Sequence, residues 1–289
     1  MTLFQTNDSN LRQISHSETL LINEAQDNLH KKNQQIYRFG FGQSPFSPPE
    51  MAVKTLKDQA FQHDYLPVAG LKTCQEAVAN AHQCLRNAPI QADDIVIAPG
   101  SKMIIYTVMA CYKNATVLLP QPSWVSYAPQ AKLLDHTVDL IPTDFDAQWK
   151  IKPDTFNNVC KKPPNTTRIL VLNYPGNPTG MTYTASELEA LAKVAKEHNV
   201  LVISDEIYGW LNHNNSHVSI ADYYPEGTFI TTGLSKWCGA GGWRFGAGIF
   251  PFNASKEFKK TYFGNASETY STTAAPVQYT ATEIYNNMD

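Results

Sequence analysis

Residues with catalytic or ligand-binding side chains follow short apolar segments, at the points where predicted strands end. The apolar segments at residues 95–98, 117–119, 168–173, 200–203 and 229–232 are typical of buried strands. Ligands of an open α/β sheet bind beyond the carboxyl ends of its strands, so we expect the following residues to converge. In chain order they are Gly100, Ser101, Lys102, Trp124, Asn177, Asp205, Tyr208, Ser235, Lys236 and Arg244.

The side chains in this set match the chemistry of a phosphorylated aldehyde with a flat, cationic ring. Backbone amides and a hydroxyl at a helix start, together with an arginine, bind phosphate. A carboxylate at the end of a buried strand can pair with a cationic ring nitrogen, and an indole can stack on the ring. A lysine that loses its charge in a dry pocket can form a Schiff base with the aldehyde. We therefore predict pyridoxal 5′-phosphate as the cofactor.

The ordered motifs resemble those of the class I/II aminotransferases, a family of fold-type I pyridoxal-phosphate enzymes. The motifs are Asn177-Pro-Thr-Gly180, Asp205-x-x-Tyr208, and Ser235-Lys236-x7-Arg244. Asn177 precedes Asp205 by 28 residues and Lys236 precedes Arg244 by 8, which are spacings of the family. Further segments in the family's order begin at Tyr65, Pro99 and Pro122. The resemblance extends over about residues 35–285, and its specificity comes from the ordered series rather than from any one motif.

The resemblance implies roles for the residues around the cofactor ring. It implies that Lys236 forms the aldimine and moves the proton between the substrate Cα and the cofactor. It implies that Asp205 pairs with the protonated pyridine nitrogen, which keeps the ring an electron acceptor. Tyr208 and Asn177 correspond to residues that bond the phenolic oxygen of the ring, and Asn177 also to a substrate-binding residue. Trp124 corresponds to the residue that stacks on the ring.

Other roles implied by the resemblance concern the phosphate, the substrate and a second subunit. Tyr65 resembles a tyrosine that reaches the phosphate of the partner subunit, which implies a homodimer. Gly42 matches a glycine whose backbone lies near the substrate carboxylate. Lys102 is expected to contribute its backbone amide rather than its side chain. The residues implied to surround the phosphate within one chain are Gly100, Ser101, Lys102, Ser235 and Arg244.

The predicted architecture is α/β, with a three-layer α/β/α large domain around a mostly parallel sheet. Residues 168–205 form its clearest unit, because a buried strand, a helix that starts with a Thr184–Glu187 capping box, and a second buried strand follow one another. We expect residues 50–289 to form the cofactor-binding large domain, and residues 1–49 an N-terminal arm and part of a small domain.

The end of the chain departs from the family pattern. Family members continue beyond the position that matches Asp289, in a stretch that completes the small domain and carries the arginine for the substrate α-carboxylate. We therefore expect the C-terminal small domain to be absent and the small domain to be incomplete. A second departure is Gly233, where the family usually has serine or threonine, and we expect Ser235 to supply that phosphate contact.

Composition narrows the class of protein further. The chain has 289 residues, 43% of them hydrophobic, and a formal net charge of −3, which excludes disorder and gives no basic surface for nucleic acid. Its longest apolar runs fall far short of the ~20 residues of a membrane helix. Five scattered cysteines without a signal peptide predict a cytoplasmic protein. His213 and His217 lie in a polar segment, and we expect no metal site there.

The leading prediction of function is an aminotransferase that moves an amino group from an amino acid to a 2-oxo acid. One alternative is a carbon–sulfur lyase or another elimination enzyme, because such enzymes use the same cofactor residues. Another is a truncated cofactor-binding chain with little or no activity. A cofactor-binding regulator is less favoured, since residues 1–35 are too short and not basic enough for a DNA-binding domain. The sequence does not identify the amino acid or the oxo acid.

Overall fold

The structure is a computed structural model that describes residues 14, 18–37, 40, 42–83, 89–161, 166–213 and 217–288. In the first helix, side chains are described from Leu21 onward. Expectations that concern residues 1–13, Cys84 and Asp289 lie outside the described residues. Along these ranges, none of the helices combines the length and apolarity that crossing a bilayer requires.

The strands form one sheet in the described part of the chain. Their bounds are β1 Ile95–Ala98, β2 Thr116–Gln121, β3 Thr137–Pro142, β4 Arg168–Asn173, β5 Leu201–Asp205, β6 Thr228–Gly233 and β7 Gly246–Ile249. Their order across the sheet is β1-β7-β6-β5-β4-β2-β3. Only β7 runs antiparallel to its neighbours, so the other strands end at the same edge of the sheet.

The helices lie between and after these strands. Their bounds are α1 Glu18–Lys31, α2 Glu50–Asp58, α3 Lys72–Gln83, α4 Ser101–Ala110, α5 Tyr127–Leu133, α6 Pro153–Cys160, α7 Ala185–Glu197, α8 Lys256–Thr269 and α9 Ala275–Asn286. Short 3₁₀ turns occur between them, including one after Tyr208 and one just before Arg244.

Alternate residues of each central strand pack on opposite helix layers. In β4, Ile169 and Val171 contact the layer that contains α4 and α8, whereas Leu170 and Leu172 contact the layer that contains α6 and α7. All four side chains are at most 1% exposed. Burial of each such side chain contributes roughly 1.5–3 kcal/mol, which is why the strand is apolar on both faces. The predicted three-layer α/β/α architecture with a mostly parallel sheet is confirmed.

The β4–α7–β5 unit forms as the sequence predicts. The Thr184 hydroxyl accepts a hydrogen bond from the Glu187 backbone N–H at 3.3 Å, and the Glu187 carboxylate accepts one from the Thr184 N–H at 2.7 Å. These reciprocal bonds satisfy two N–H groups that lack partners within the helix. The register places Asn173 beside Asp205, and Asp205 beside Thr231 of β6. The unit therefore brings consecutive strand ends to one edge.

Several boundaries and elements differ from the prediction. The sequence pattern of residues 50–62 predicts one helix, whereas α2 ends at Asp58. Helices α5, α6, α8 and α9 were not predicted. Strand β7 was also missed, because its sequence Gly-Ala-Gly-Ile lacks the usual strand-forming residues. The two glycines are required by packing: a Cβ on Gly246 would lie 2.4 Å from the Gly100 carbonyl carbon, and one on Gly248 would lie 2.8 Å from the Phe229 ring.

Candidate active site

A cavity of about 470 Å³ opens at the edge of the sheet where the parallel strands end. All of the predicted site residues line it except Gly100, which lies behind Arg244, and Tyr65, which is 93% exposed outside it. The lining residues that the sequence predicted are Gly42, Ser101, Lys102, Trp124, Asn177, Asp205, Tyr208, Ser235, Lys236 and Arg244. Apart from Gly42, which precedes α2, these residues lie at or just after the ends of β1, β2, β4, β5 and β6, so the expected convergence of strand ends occurs.

Asp205 provides a buried carboxylate at the end of β5. Its residue is 3% exposed, and the Tyr127 hydroxyl donates a hydrogen bond to Oδ2 at 2.6 Å. The Ile207 backbone N–H donates to Oδ1 at 3.3 Å. Burial raises the pKa of Asp205 to about 6, and the hydrogen bond from Tyr127 opposes this rise. A buried carboxylate with so few donors favours a cationic partner.

Lys236 provides an amine in the same cavity. Its Nζ donates a hydrogen bond to the Gly42 carbonyl oxygen at 2.5 Å and lies 5.4 Å from the centre of the Tyr208 ring. Burial lowers the pKa of Lys236; the negative charge of Asp205 opposes this shift, and the positive charge of Arg244 adds to it. A lowered pKa increases the neutral fraction of the amine, which is the form that attacks a carbonyl carbon.

The N-terminus of α4 and the Arg244 guanidinium lie together, an arrangement that can bind an anion. Arg244 has a left-handed backbone with φ +57°, and its Nη1 donates to the Gly241 carbonyl at 2.8 Å. Gly100 has φ +91°, and a Cβ there would lie 2.3 Å from Nη2 of Arg244. Glycine is therefore required for the guanidinium to lie against the first turn of α4. Free N–H groups and the dipole at a helix start bind phosphate.

Gly233 departs from the family pattern because two strands approach closely there. A Cβ on Gly233 would lie 2.5 Å from the Phe245 carbonyl oxygen and 3.1 Å from the Gly246 Cα. No side chain fits at this position without movement of β7. Ser235, two residues later, lines the cavity, which supports the expectation that it replaces the missing hydroxyl.

Trp124 and Lys102 lie together at the wall of the cavity. Lys102 Nζ is 4.9 Å from the centre of the Trp124 ring, which is a cation–π distance. Burial lowers the pKa of Lys102, and the charge of Arg244 adds to this shift. The Lys102 side chain therefore reaches the cavity, although the sequence suggested only a backbone role.

Tyr208 and Asn177 come together from different loops. The pKa of Tyr208 is raised by burial and by the negative charge of Asp205, while a side-chain hydrogen bond with Asn177 lowers it. The Asn177 backbone N–H donates to Oδ1 of Asn173 at 2.7 Å, and Nδ2 of Asn173 donates to the Asp205 carbonyl at 2.8 Å. Asn173 thus fixes the Asn177 loop to the end of β5.

The groups present fit pyridoxal 5′-phosphate. The cavity is large enough for a small cofactor, and its walls hold an anion-binding site, a buried carboxylate, an amine of lowered pKa and an indole. These are the counterparts of the phosphate, the ring nitrogen, the aldehyde and the ring face.

Comparison with known proteins identifies the family. A sequence model described as "Aminotransferase class I and II" matches residues 34–289. The chain belongs to this family. Class I and II aminotransferases use pyridoxal phosphate and act on an amino acid and a 2-oxo acid, and this chain is accordingly a pyridoxal-phosphate-dependent aminotransferase.

Individual relatives support the same assignment. An aspartate aminotransferase of Bacillus sp. (strain YM-2) is 31% identical over 284 residues, which cover 96% of this chain and 71% of the relative. An asparagine–oxo-acid transaminase of Streptococcus mutans is 29% identical and covers the same shares. The structure of the Thermus thermophilus aspartate aminotransferase with maleate is similar, with TM-score 0.87, 25% identity, and coverage of 96% of this chain and 74% of that one.

Two site residues of this aminotransferase were missed by sequence reasoning. Tyr127 contacts both Asp205 and the edge of the Trp124 ring, and Asn173 connects the loops after β4 and β5. Asn173 could have been found, since it is the last residue of a predicted strand. Tyr127 gave a weaker signal: it follows Trp124 by three residues, but α5, which begins at Tyr127, was not predicted.

His217 takes part in a buried hydrogen-bond cluster of the aminotransferase fold. Its Nε2 lies 2.8 Å from Oε2 of Glu206, while Ser204 and Ser219 donate to Oε1 at 2.9 and 2.5 Å. Among the described residues, no group of histidine, cysteine or acidic side chains could hold a metal ion. The Glu206 cluster joins the end of β5 to the segment around Ser219.

Proposed function

We propose that this aminotransferase holds pyridoxal 5′-phosphate in the 470 Å³ cavity and carries it on Lys236. The observation that supports this most directly is the meeting of an amine of lowered pKa, a buried carboxylate and an anion-binding helix start in one cavity. When bound, the cofactor supplies an aldehyde and an electron-accepting ring for the transfer of the amino group.

The proposed roles near the ring follow from the position and charge of each side chain. Asp205, ionised and buried, holds a proton on the ring nitrogen. Lys236 would hold the cofactor through its aldehyde and would carry the proton at the substrate Cα. Tyr208 and Asn177, which bond each other, would donate hydrogen bonds to the ring oxygen. Trp124 covers one ring face and excludes water from it.

The proposed phosphate site uses one helix start and three side chains. Ser101 and the backbone N–H groups of the first turn of α4 donate to the phosphate, and Gly100 permits the close approach of the guanidinium. Arg244 supplies a delocalised positive charge and several donors in one plane. Ser235 adds a hydroxyl from the loop after β6. The carbonyl of Gly42, which accepts from Lys236, lies where the backbone of that segment can meet a substrate.

We also propose a homodimer and a domain division. Tyr65, which is 93% exposed here, reaches the phosphate of the partner subunit in this proposal. In this proposal, residues 50–289 form the cofactor-binding domain, and residues 1–49 form an N-terminal arm and part of the small domain. A cytoplasmic location is supported by the unpaired cysteines of the described residues, namely Cys74, Cys111, Cys160 and Cys238.

For the substrate we propose a dicarboxylic amino acid such as aspartate. Relatives named aspartate aminotransferase cover most of this chain. A second carboxylate on the substrate needs a cation, and the cavity holds Lys102 in addition to Lys236 and Arg244. Lys102 Nζ lies over the Trp124 ring rather than beside a carboxylate, so its charge remains available to a substrate.

Titration of the purified chain with the cofactor tests the binding proposal. We expect a visible absorption band of the lysine-linked cofactor in the wild type, its loss in Lys236→Ala, and its retention in Lys260→Ala, which removes an exposed lysine of α8. Absence of the band in the wild type, or its persistence in Lys236→Ala, would contradict the proposal.

The amount of product in the absence of an oxo acid distinguishes transfer from elimination. An aminotransferase mixed with aspartate alone stops after about one equivalent of 2-oxo acid per bound cofactor, because the amino group stays on the cofactor. Addition of a second oxo acid should restart the reaction. Continuous release of pyruvate and ammonia from cysteine or serine would instead identify an elimination enzyme.

A further inference from the structure

We propose that Tyr127 is a positioning residue, which directs the Asp205 carboxylate and the Trp124 indole toward the same cofactor ring. This inference rests on the proposed function of Asp205 and Trp124 and assigns a role to a residue outside the motifs.

Tyr127 contacts both partners from one buried position. It is the first residue of α5 and is 1% exposed. Its hydroxyl donates to Oδ2 of Asp205 at 2.6 Å, and its ring meets the Trp124 ring edge to face, with centres 5.2 Å apart and planes at 82°. A single side chain therefore limits the rotation of both the carboxylate and the indole.

The helix that carries Tyr127 is fixed to the phosphate side of the site. Gln130 of α5 donates from Nε2 to the Lys102 carbonyl at 2.8 Å, and Lys102 lies in the first turn of α4. The position of the Tyr127 hydroxyl is thus tied to the helix start that is proposed to bind the phosphate. These contacts hold Asp205 and the N-terminus of α4, the proposed partners of the ring nitrogen and the phosphate, at a fixed separation.

The charge of Asp205 depends on the groups that face it. They are Tyr127 from α5, Glu206 at the end of β5, Tyr208 from the following turn and Lys236 from the loop after β6. Burial raises the pKa of Asp205 to about 6; the Tyr127 hydrogen bond and the charge of Lys236 lower it, whereas the charge of Glu206 raises it. Of the two hydrogen bonds described for the Asp205 carboxylate, loss of the Tyr127 hydroxyl leaves the longer one, from the Ile207 N–H at 3.3 Å.

The decisive test is a carboxyl titration of the cofactor-free protein. In Tyr127→Phe, carbon-13 NMR should show the pKa of Asp205 raised by about one pH unit, since a hydrogen bond to a charged group is lost. Asp205→Asn assigns the signal. Tyr262→Phe is the matched control: Tyr262 is fully buried in α8 against Phe250, and its substitution should leave the titration unchanged. An unchanged pKa in Tyr127→Phe overturns the proposal.

A second measurement needs no substitution of Tyr127. In the wild type, the hydroxyl proton of the 2.6 Å bond should exchange slowly and resonate far downfield, and Asp205→Asn should shift it upfield. A proton that is insensitive to Asp205→Asn overturns the proposal as well. Both measurements are made without cofactor, so their results do not depend on whether the chain binds the cofactor. The inference and the proposed function can therefore fail independently.

If Tyr127 is a positioning residue, its substitution in the cofactor-bound enzyme should change kcat much more than KM. Tyr127→Phe should lower kcat about tenfold and leave KM for the amino acid within about twofold, because substrate contacts remain while the ionised form of Asp205 beside the ring nitrogen is less stabilised. The visible band should also shift in wavelength. Equal losses in Tyr127→Phe and Tyr262→Phe would mean that Tyr127 only supports packing.

Discussion

The ionised Asp205 carboxylate is stabilised poorly by the protein groups around it, and a cation in the cavity would stabilise it. Its pKa in the folded chain is about 6, against 3.8 for the free group, chiefly because burial disfavours the ionised form. Below about pH 4 the carboxyl is protonated in both folded and unfolded chains. Above pH 6 it is ionised in both, and the folded state then carries a penalty of about 3 kcal/mol.

We therefore predict that Asp205→Asn stabilises the cofactor-free protein at high pH. The free energy of unfolding should rise by about 2–3 kcal/mol at pH 8, and the gain should fade as the pH falls from 6 to 4. Urea unfolding at several pH values measures this difference. Asp93→Asn is the control, because Asp93 is exposed and Lys72 lowers its pKa, so the same gain should not occur there. A pH-independent effect of Asp205→Asn would contradict the argument.

Residues whose roles depend on local pattern were the most predictable from sequence. Asp205 and Lys236 each follow a buried strand, so the sheet alone places them at one edge. Tyr127 was missed because its contact with Asp205 joins positions 78 residues apart and depends on the direction of α5. Short-range pattern gives no information about such a pair.

Among the secondary-structure elements, α7 could be predicted from local sequence, whereas β7 depends on distant parts of the chain. The α7 boundary is specified by a capping box within four residues, and the sequence predicted it. Strand β7 exists because β1 and β6 both offer unpaired backbone groups and leave room only for glycine at Gly246 and Gly248. That requirement arises from neighbouring elements, so the segment itself carries little strand signal.

Gly100 tests whether the backbone at the start of α4 determines the position of the Arg244 guanidinium. We predict that Gly100→Ala weakens cofactor binding at least tenfold, because its Cβ would lie 2.3 Å from Nη2 of Arg244 and displace the guanidinium. Equilibrium titration with the cofactor measures this loss. Arg244 remains in the chain, so the loss would reflect its position rather than its absence.

The matched control is Gly264→Ala within α8, where a Cβ meets nothing within 4 Å. This substitution should leave cofactor affinity unchanged and raise the free energy of unfolding by about 0.5–1 kcal/mol, since alanine favours the helix over glycine. Wild-type affinity in Gly100→Ala would show that Arg244 can bind phosphate from another position.

At the scale of the whole molecule, the sequence predicted the three layers and the sheet, which are confirmed, whereas the contact with a second subunit stays a prediction. Layering follows from strands that are apolar on both faces, which is a property of one chain. In the structure of a single chain, a contact surface for another subunit is visible only as exposed apolar side chains. Phe61 and Tyr65, between α2 and α3, are 70% and 93% exposed, which is unusual for aromatic side chains so close in sequence.

A mixed dimer tests whether Tyr65 acts across subunits. One subunit carries Lys236→Ala and the other Tyr65→Ala, each with a different affinity tag. If Tyr65 reaches the partner's phosphate, the mixed dimer contains one site with an intact Lys236 and an intact Tyr65, and one site that lacks both. Half of the sites should then bind the cofactor with wild-type affinity, whereas the Tyr65→Ala homodimer should bind roughly tenfold more weakly at every site, through loss of one bond to a charged group.

If Tyr65 acts within its own subunit, the mixed dimer regains no wild-type site. Light scattering that shows only monomers at the concentrations used would refute the dimer itself.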